Sequence, residues 1–449
     1  MKLFYDIKDK PKFPQLVVYA IQQLLAIMAA TLVVPIIIGN GMQPSAALFG
    51  AGIGTLVYVA FTKANSPVFL GSSFAFLGSM GAAFAGAVSA QAGYAGIILG
   101  AIFAGLVYVV IALTVKFVGV GWIDKLMPKQ VIGPTVAIIG LSLAGNAIGD
   151  LQAGKYMVDG ASSAHPLVAI ACGLVTLFVT MICSTYGKKS IKLIPFIIGI
   201  LSGYAFAVVV TLIGTKTGND ALKLIDFSVF SGISLFALPE VTFLTAMKGI
   251  KEIDGAYIGT IAAAYLPVAF VVFAEHIADH KNISSIIGKD LLKEPGLHRT
   301  LLGDGVGSMV GAFFGGCPNT TYGESVACVA LTRNASVYTI ITAAIGAILI
   351  AFLQPFVAFV DSIPSCVMGG VCMALYGFIA VSGLKMVQGV NLEDNKNLYT
   401  VSVILIAGIG GLTLNFGKIT ITSIACALIL GIITNLILAK GKAPVEDAE

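Results

Sequence analysis

Between Phe13 and Lys116 the chain carries a single charged side chain, Lys63, over a length that could cross a membrane four times. A hydrocarbon core of roughly 30 Å needs about 20 residues of helix. The rest of the sequence agrees. Of its 449 residues 57% are hydrophobic and 11% charged, and the mean hydropathy is +0.97, whereas a soluble domain carries about 25% charged residues. No soluble core of this size hides so much apolar surface, so lipid must be the solvent. Met1 to Lys12 is short and charged, with no apolar run ahead of a small-residue cleavage site, so the first apolar segment is expected to be retained. The seven cysteines (172, 183, 317, 328, 366, 372 and 426) are scattered without CxxC or metal-type spacing. They read as small apolar side chains.

Segments long enough to span fall near 17–38, 45–62, 93–116, 131–148, 165–185, 193–214, 257–277, 336–360, 366–387, 398–415 and 419–439. Three more, 67–87, 301–316 and 318–333, are shorter or interrupted, giving fourteen membrane-entering segments. Cytoplasmic loops carry the excess of Lys and Arg. With fourteen segments and the N-terminus inside, twenty of the twenty-six basic residues fall on the inner side. Lys155, Lys216, Lys223, Lys248, Lys251 and Lys418 fall outside. Both termini are then cytoplasmic. In the long outer connection, Phe227 to Leu244 reads as an amphipathic interfacial helix.

The chain also repeats itself. Pro128-Lys-Gln-Val-Ile-Gly133 recurs as Pro364-Ser-Cys-Val-Met-Gly369, 236 positions later, each opening a Gly-containing apolar segment. Seven segments per half is an odd number, so the halves, residues 1–220 and 221–449, must run in opposite senses through the bilayer. Inverted repeats are a signature of secondary transporters. The fold class expected is an all-α polytopic membrane protein of two inverted seven-segment repeats.

Polar backbone inside a bilayer is tolerated only where protein covers it or a cavity receives it. Two stretches break span rules at corresponding places: Pro67-Val-Phe-Leu-Gly71-Ser-Ser-Phe-Ala-Phe76, and Gly315-Gly-Cys-Pro318-Asn-Thr-Thr-Tyr-Gly-Glu324-Ser. Paired broken segments in an inverted repeat mark a midplane substrate site; a tight helix crossing built from small residues is the competing explanation. Ionisable groups add to the case, because a carboxylate at the centre of a span costs about 2.5–3.5 kcal/mol even on lenient scales. Glu275 and Asp279 lie four apart, on one helical face. Glu324 follows the second broken segment. Such groups suit proton coupling, and a carboxylate also accepts ring N–H donors. Asp279 also reads as a hydrated residue at the inner membrane edge. His165 and His298 fall in expected loops. His276 and His280 fit either proton coupling or a helix-end role, and Asp304 reads as structural. Gly50-Ala-Gly-Ile-Gly54 mimics a phosphate loop, but no strand precedes it, and helix packing explains it better.

At these residues the chain resembles the nucleobase–ascorbate transporter family, also called nucleobase–cation symporter-2, and within it the uracil-permease branch. The motifs are Gln22 with Ala-Thr-Leu-Val-Val-Pro35, Leu70-Gly-Ser-Ser-Phe-Ala-Phe76, Ala274-Glu-His276, Asp290-Leu-Leu-Lys-Glu-Pro-Gly-Leu-His298-Arg299 and Pro318-Asn-Thr-Thr-Tyr-Gly-Glu324. The resemblance implies a substrate-holding core domain and a dimerising gate domain, each drawing on both halves, with short strands in segments 3 and 10. It implies nucleobase binding by Glu275 and Glu324, backbone groups offered by Gly323 and Phe74, and a pocket role for Tyr322. Gln22, Ser73 and Tyr376 would support the site, with Asp279, Glu275 and Glu324 in proton coupling. It also implies a proton-coupled uracil symporter in the cytoplasmic membrane, surrounded by lipid and forming a homodimer, with no nucleic-acid partner, cofactor or metal.

Three departures leave a purine substrate open. The family's Gln-His pair is Gln22-Gln23 here, the histidine four residues after the binding glutamate is Asp279, and the signature after segment 10 reads Glu324-Ser-Val-Ala-x4-Thr332-Arg333. A xanthine symporter is therefore the alternative. An anion carrier would place a cation at the broken segments, where this chain is acidic. An intramembrane enzyme would need a nucleophile facing a base, and the sequence displays no such constellation.

Overall fold

The computed structural model describes residues 3–119, 122–158, 161–188, 191–416 and 419–439. Of the basic residues counted above, Lys2, Lys189, Lys418, Lys440 and Lys442 lie outside the described residues. The first half runs α1 (Phe13–Ile38), α2 (Pro44–Phe61), β1 (Leu70–Ser72), α3 (Leu77–Ala85), α4 (Ala90–Val118), α5 (Ile123–Leu126), α6 (Lys129–Ser142), α7 (Ala144–Leu151), the hairpin β2 (Met157–Val158) and β3 (Ala161–Ser162), α8 (Pro166–Tyr186) and α9 (Pro195–Thr217). The second runs α10 (Thr242–Gly249), α11 (Gly255–Ile287), α12 (Leu297–Gly315), β4 (Asn319–Thr321), α13 (Gly323–Thr332), α14 (Val337–Ala351), α15 (Gln354–Ser362), α16 (Ser365–Val387), α17 (Asn395–Ile409), the hairpin β5 (Leu414–Phe416) and β6 (Ile419–Ile421), and α18 (Ser423–Ala439). Among the described residues eight helices are long and apolar enough to cross a membrane. Shorter or more polar elements occupy the other six of the fourteen segment positions.

The repeat read from Pro128 and Pro364 holds. Each proline is the residue before the first turn of its helix, α6 and α16. Proline there loses no helical hydrogen bond, because the first N–H groups of a helix have no partner within it. The two helices pack on each other, and a Cβ on Gly133 would stand 3.0 Å from Gly383 O.

The helices sort into two packed groups. In one, α12 lies against α2 and α4, α14 against α1 and α2, and α11 against α3 and α4. The second joins α6, α7, α8 and α9 to α16, with α17 and α18 beside α6. The α2–α12 crossing is built from the glycines that mimic a phosphate loop. A Cβ on Gly50 would lie 2.5 Å from Gly311 O, and one on Gly54 2.7 Å from Gly307 O. Packing accounts for that run, as the absence of a preceding strand indicated.

Four local expectations are corrected. Segment 8 does not end at 277; α11 continues to Ile287, about 50 Å at 1.5 Å per residue. Helix-permissive residues carry it on to Gly288, whose φ of 71° terminates it and whose N–H returns to Ser284 O. Segment 336–360 is two helices, because Pro355 at the start of α15 cannot continue α14. There Phe236 and Leu353 form an antiparallel bridge. The interfacial helix from Phe227 to Leu244 is absent: a short 3-10 turn, Phe227–Phe230, gives way at Gly232 (φ 72°) and Pro239 to extended chain before α10. His298 lies in the first turn of α12 rather than in a loop.

Candidate functional site

The two broken segments meet. β1 and β4 pair antiparallel, Leu70 with Thr321, Gly71 with Thr320 and Ser72 with Asn319. Ser73 N donates to Pro318 O at 2.9 Å, and Tyr322 N to Phe69 O at 3.3 Å. The backbone groups that interrupted helices leave free are thus paired within the membrane. Antiparallel pairing at corresponding positions is what inverted halves require.

Side chains fix the strands in place. Thr55 Oγ1 accepts from Leu70 N at 3.0 Å and donates to Leu70 O at 3.2 Å. Ser325 Oγ accepts from Phe69 N at 3.0 Å and from Gln23 Nε2. Tyr322 OH donates to Ser72 O at 2.6 Å. Gly71 permits this closeness, since a Cβ there would sit 2.5 Å from the Tyr322 ring and 2.9 Å from Thr31 Oγ1.

Beside the strands lies a cavity of about 470 Å³ between the two helix groups. The first group contributes Ala26, Phe74, Glu275, Asp279, Thr320, Tyr322, Gly323 and Glu324; the second contributes Val136, Ile139, Phe196, Leu375, Phe378 and Ile379. One wall is therefore polar and acidic, the other apolar. Asp279 Oδ2 accepts from Thr321 Oγ1 at 2.8 Å, so β4 orients one of the carboxylates. Glu324 stands in the first turn of α13, where the helix dipole favours negative charge. Phe74 meets Tyr376 edge to face, with ring centroids 6.0 Å apart. The lining runs out to Lys192, Leu331 and Ser382, which are exposed.

Six residues singled out in the sequence, Phe74, Glu275, Asp279, Tyr322, Gly323 and Glu324, line this one cavity. Asp279 is thus in the site and held by Thr321 rather than at a hydrated edge. Gln22, Ser73 and Tyr376 are outside the lining: Ser73 works through its backbone, Tyr376 backs Phe74, and the contact from α1 to Ser325 comes from Gln23. Sequence reasoning missed the apolar wall, whose members look like ordinary lipid-facing residues. The pattern of Thr320 and Thr321 was visible but not their bonding. His165 caps α8, accepting from Leu167 N at 3.3 Å.

Acids facing an apolar wall across a cavity, at the crossing of two broken segments, are the arrangement of a secondary carrier. The comparisons agree. A family model described as a permease family, named for xanthine and uracil permeases, matches residues 14–416. The chain is similar to the uracil permease of Bacillus subtilis (strain 168), 38% identical over 99% of this chain and 98% of that protein. It is 37% identical to the uracil permease of Bacillus caldolyticus over 98% of this chain and 96% of that one. It is 35% identical to that of Escherichia coli (strain K12), covering 96% and 93%. The fold is shared with the transmembrane domain of the cyanobacterial bicarbonate transporter BicA, at TM-score 0.62 and 15% identity, covering 96% of this chain and 100% of that one. It is shared also with the murine Solute Carrier 26 family member A9 anion transporter, at TM-score 0.63 and 11% identity, covering 96% and 69%. The chain belongs to the nucleobase–ascorbate transporter family of membrane permeases. It is a multi-pass membrane transporter and not an enzyme.

Proposed function

We propose that this chain imports uracil across the cytoplasmic membrane together with a proton, by alternating access. The observation that carries the reading is the convergence of Glu275, Asp279 and Glu324 on one cavity beside paired strands, in a chain 35–38% identical to named uracil permeases along nearly its whole length. Glu275 and Glu324 accept the ring N–H donors of the base, Gly323 and Phe74 offer backbone groups, and Phe74 with Tyr322 covers the ring. Three carboxylates in one cavity repel each other at low dielectric, and a proton taken up with the substrate relieves that repulsion. Residues 1–220 and 221–449 are the inverted repeats. The helix group holding the acids is the core, and the other is the gate through which a homodimer forms. Both termini are cytoplasmic. The cavity mouth carries Lys192 and lies on the side assigned inward, so this conformation faces the cytoplasm.

A purine substrate is the second reading, favoured by the place of Asp279 in the lining. Uptake of radiolabelled uracil and xanthine into proteoliposomes, with and without an inward proton gradient, tests both. Gradient-stimulated uracil uptake, lost in Glu275→Gln and Glu324→Gln, is expected. Xanthine uptake alone moves the substrate to the purine branch. Failure of both bases to enter vesicles holding folded protein ends the nucleobase reading.

A further inference from the structure

Helix α11 carries polar side chains on two faces. Glu275 and Asp279 turn to the cavity. His276 and His280 turn away from it and have no exposure to solvent. Behind the site, His276 Nδ1 lies 2.7 Å from Oδ2 of Asp304, on α12, which is itself 1% exposed. The substrate-binding reading uses neither group.

The hydrogen bonds around this pair count its protons. Thr300 Oγ1 lies 3.0 Å from His276 Nε2 and 3.1 Å from Leu297 O. A hydroxyl has one proton to give. When it donates to Leu297 O, Thr300 Oγ1 accepts from His276 Nε2–H. The Nδ1–Asp304 contact then holds one shared proton, as imidazolium with carboxylate or imidazole with carboxylic acid, and the pair is neutral overall. When the hydroxyl turns to donate to Nε2, the ring proton is on Nδ1, given to the carboxylate, and the pair carries one negative charge. The two states differ by one proton and one hydroxyl rotation. No heavy atom has to move.

We infer that the His276–Asp304 pair is the store for the transported proton, separate from the carboxylates that hold the base. This rests on the proton-coupled reading above and gives the proton a place of its own. The proton comes from the outer solution, occupies the Nδ1–Oδ2 bond during the crossing, and leaves to the inner solution.

The surroundings link the store to the substrate site. Asp304 Oδ1 has no hydrogen-bond partner among the described residues, nor have Tyr108 OH of α4, Ser308 Oγ of α12 and Asn319 Oδ1 of β4. All four residues border one small void that admits no water-sized sphere. With the pair anionic, the Tyr108 and Ser308 hydroxyls have a charge to close upon; with the pair neutral, that pull is gone. Asn319 belongs to the strand whose Thr321 holds Asp279, so β4 borders both the void beside the pair and the cavity. The groups facing the pair are His280, stacked on His276 at 4.0 Å, Tyr58 of α2, whose OH is 2.7 Å from His280 Nε2, and Tyr108, 6.4 Å from His276. Glu275 and Asp279 lie on α11 itself, and Glu324 on α13.

The test uses the full chain in proteoliposomes with a pH dye inside. In the native protein, added uracil should drive proton entry and accumulation. Asp304→Asn should keep measurable tracer exchange of uracil but lose uracil-driven proton entry, with accumulation falling to the equilibrium ratio. Persisting proton entry in Asp304→Asn overturns the proposal. If the native protein moves uracil without protons, the coupling reading itself falls and the store with it. Should Asp304→Asn not fold, Thr300→Val decides. It removes two hydrogen bonds from the loaded state, Nε2–H to Oγ1 and Oγ1–H to Leu297 O, and one from the empty state, Oγ1–H to Nε2. Half-maximal proton-driven uptake should therefore need about fivefold more protons, as expected for a net loss of one buried hydrogen bond. An unmoved midpoint refutes the role of the pair.

Discussion

Replacing Gly71 by alanine tests the geometry of the crossed strands directly. The new Cβ would sit 2.5 Å from two carbons of the Tyr322 ring, where an ordinary carbon contact is about 3.5–4.0 Å. The ring must move by about 1 Å, which pulls its hydroxyl from Ser72 O, now at 2.6 Å. Overpacking of this kind costs about 1–3 kcal/mol, and a lost neutral hydrogen bond about 0.5–1.5 kcal/mol. The sum is about 1.5–4.5 kcal/mol. Because Tyr322 lines the cavity, the displaced ring intrudes on the space proposed for the ligand. If half of the cost falls on binding, affinity drops about fourfold to fortyfold. Scintillation-proximity binding of radiolabelled uracil with a thermal melt of the same sample separates the two shares. The clash is with a side chain, so Gly71→Ala should cost far less in a Tyr322→Ala background. Native affinity and melting temperature in Gly71→Ala would refute the reasoning, and an undiminished cost in the double variant would put the clash elsewhere.

Gly50→Ala has no such release. Its Cβ meets the backbone of α12, at 2.5 Å from Gly311 O and 2.9 Å from Gly315 Cα, so the helices must part. A loss of about 1–3 kcal/mol is expected, seen as a lower melting temperature by scanning fluorimetry. Near the N-terminus, Lys289 Nζ donates to Asp6 Oδ2 at 2.6 Å and holds that carboxyl below its ordinary value of 3.8. Both side chains are about half exposed, so the pair contributes less than about 1 kcal/mol. A depressed carboxyl gives stability that is present above the unfolded-state pKa and lost as pH falls through the folded one. Lys289→Met should therefore melt slightly lower near neutral pH, and the gap should close only when the pH falls below 3.8. A gap that persists there would assign the effect to packing of the lysine stem.

The sequence by itself determined that this chain lives in lipid, roughly where most of its spans lie and where segments 3 and 10 break. Burying charge in hydrocarbon is costly enough to be read residue by residue, and the stretch from Phe13 to Lys116 needs no partner to be interpreted. Gly71 and Pro318 disclosed the broken segments for the same reason, since free backbone in a membrane must be answered somewhere. Glu275, Asp279 and Glu324 stood out as acids that such a medium does not tolerate idly. Only the tertiary structure decided what they face. In water a helix shows its buried side by contrast with a polar one; α9 and α16 are apolar all round, so nothing in their sequence marks Phe196, Leu375 or Phe378 as the wall of a cavity. The pairing of β1 with β4 joins residues some 250 apart, and the meeting of His276 with Asp304 depends on how α11 and α12 are rotated. Those are consequences of packing small residues at helix crossings, where a single Cβ fixes which faces meet.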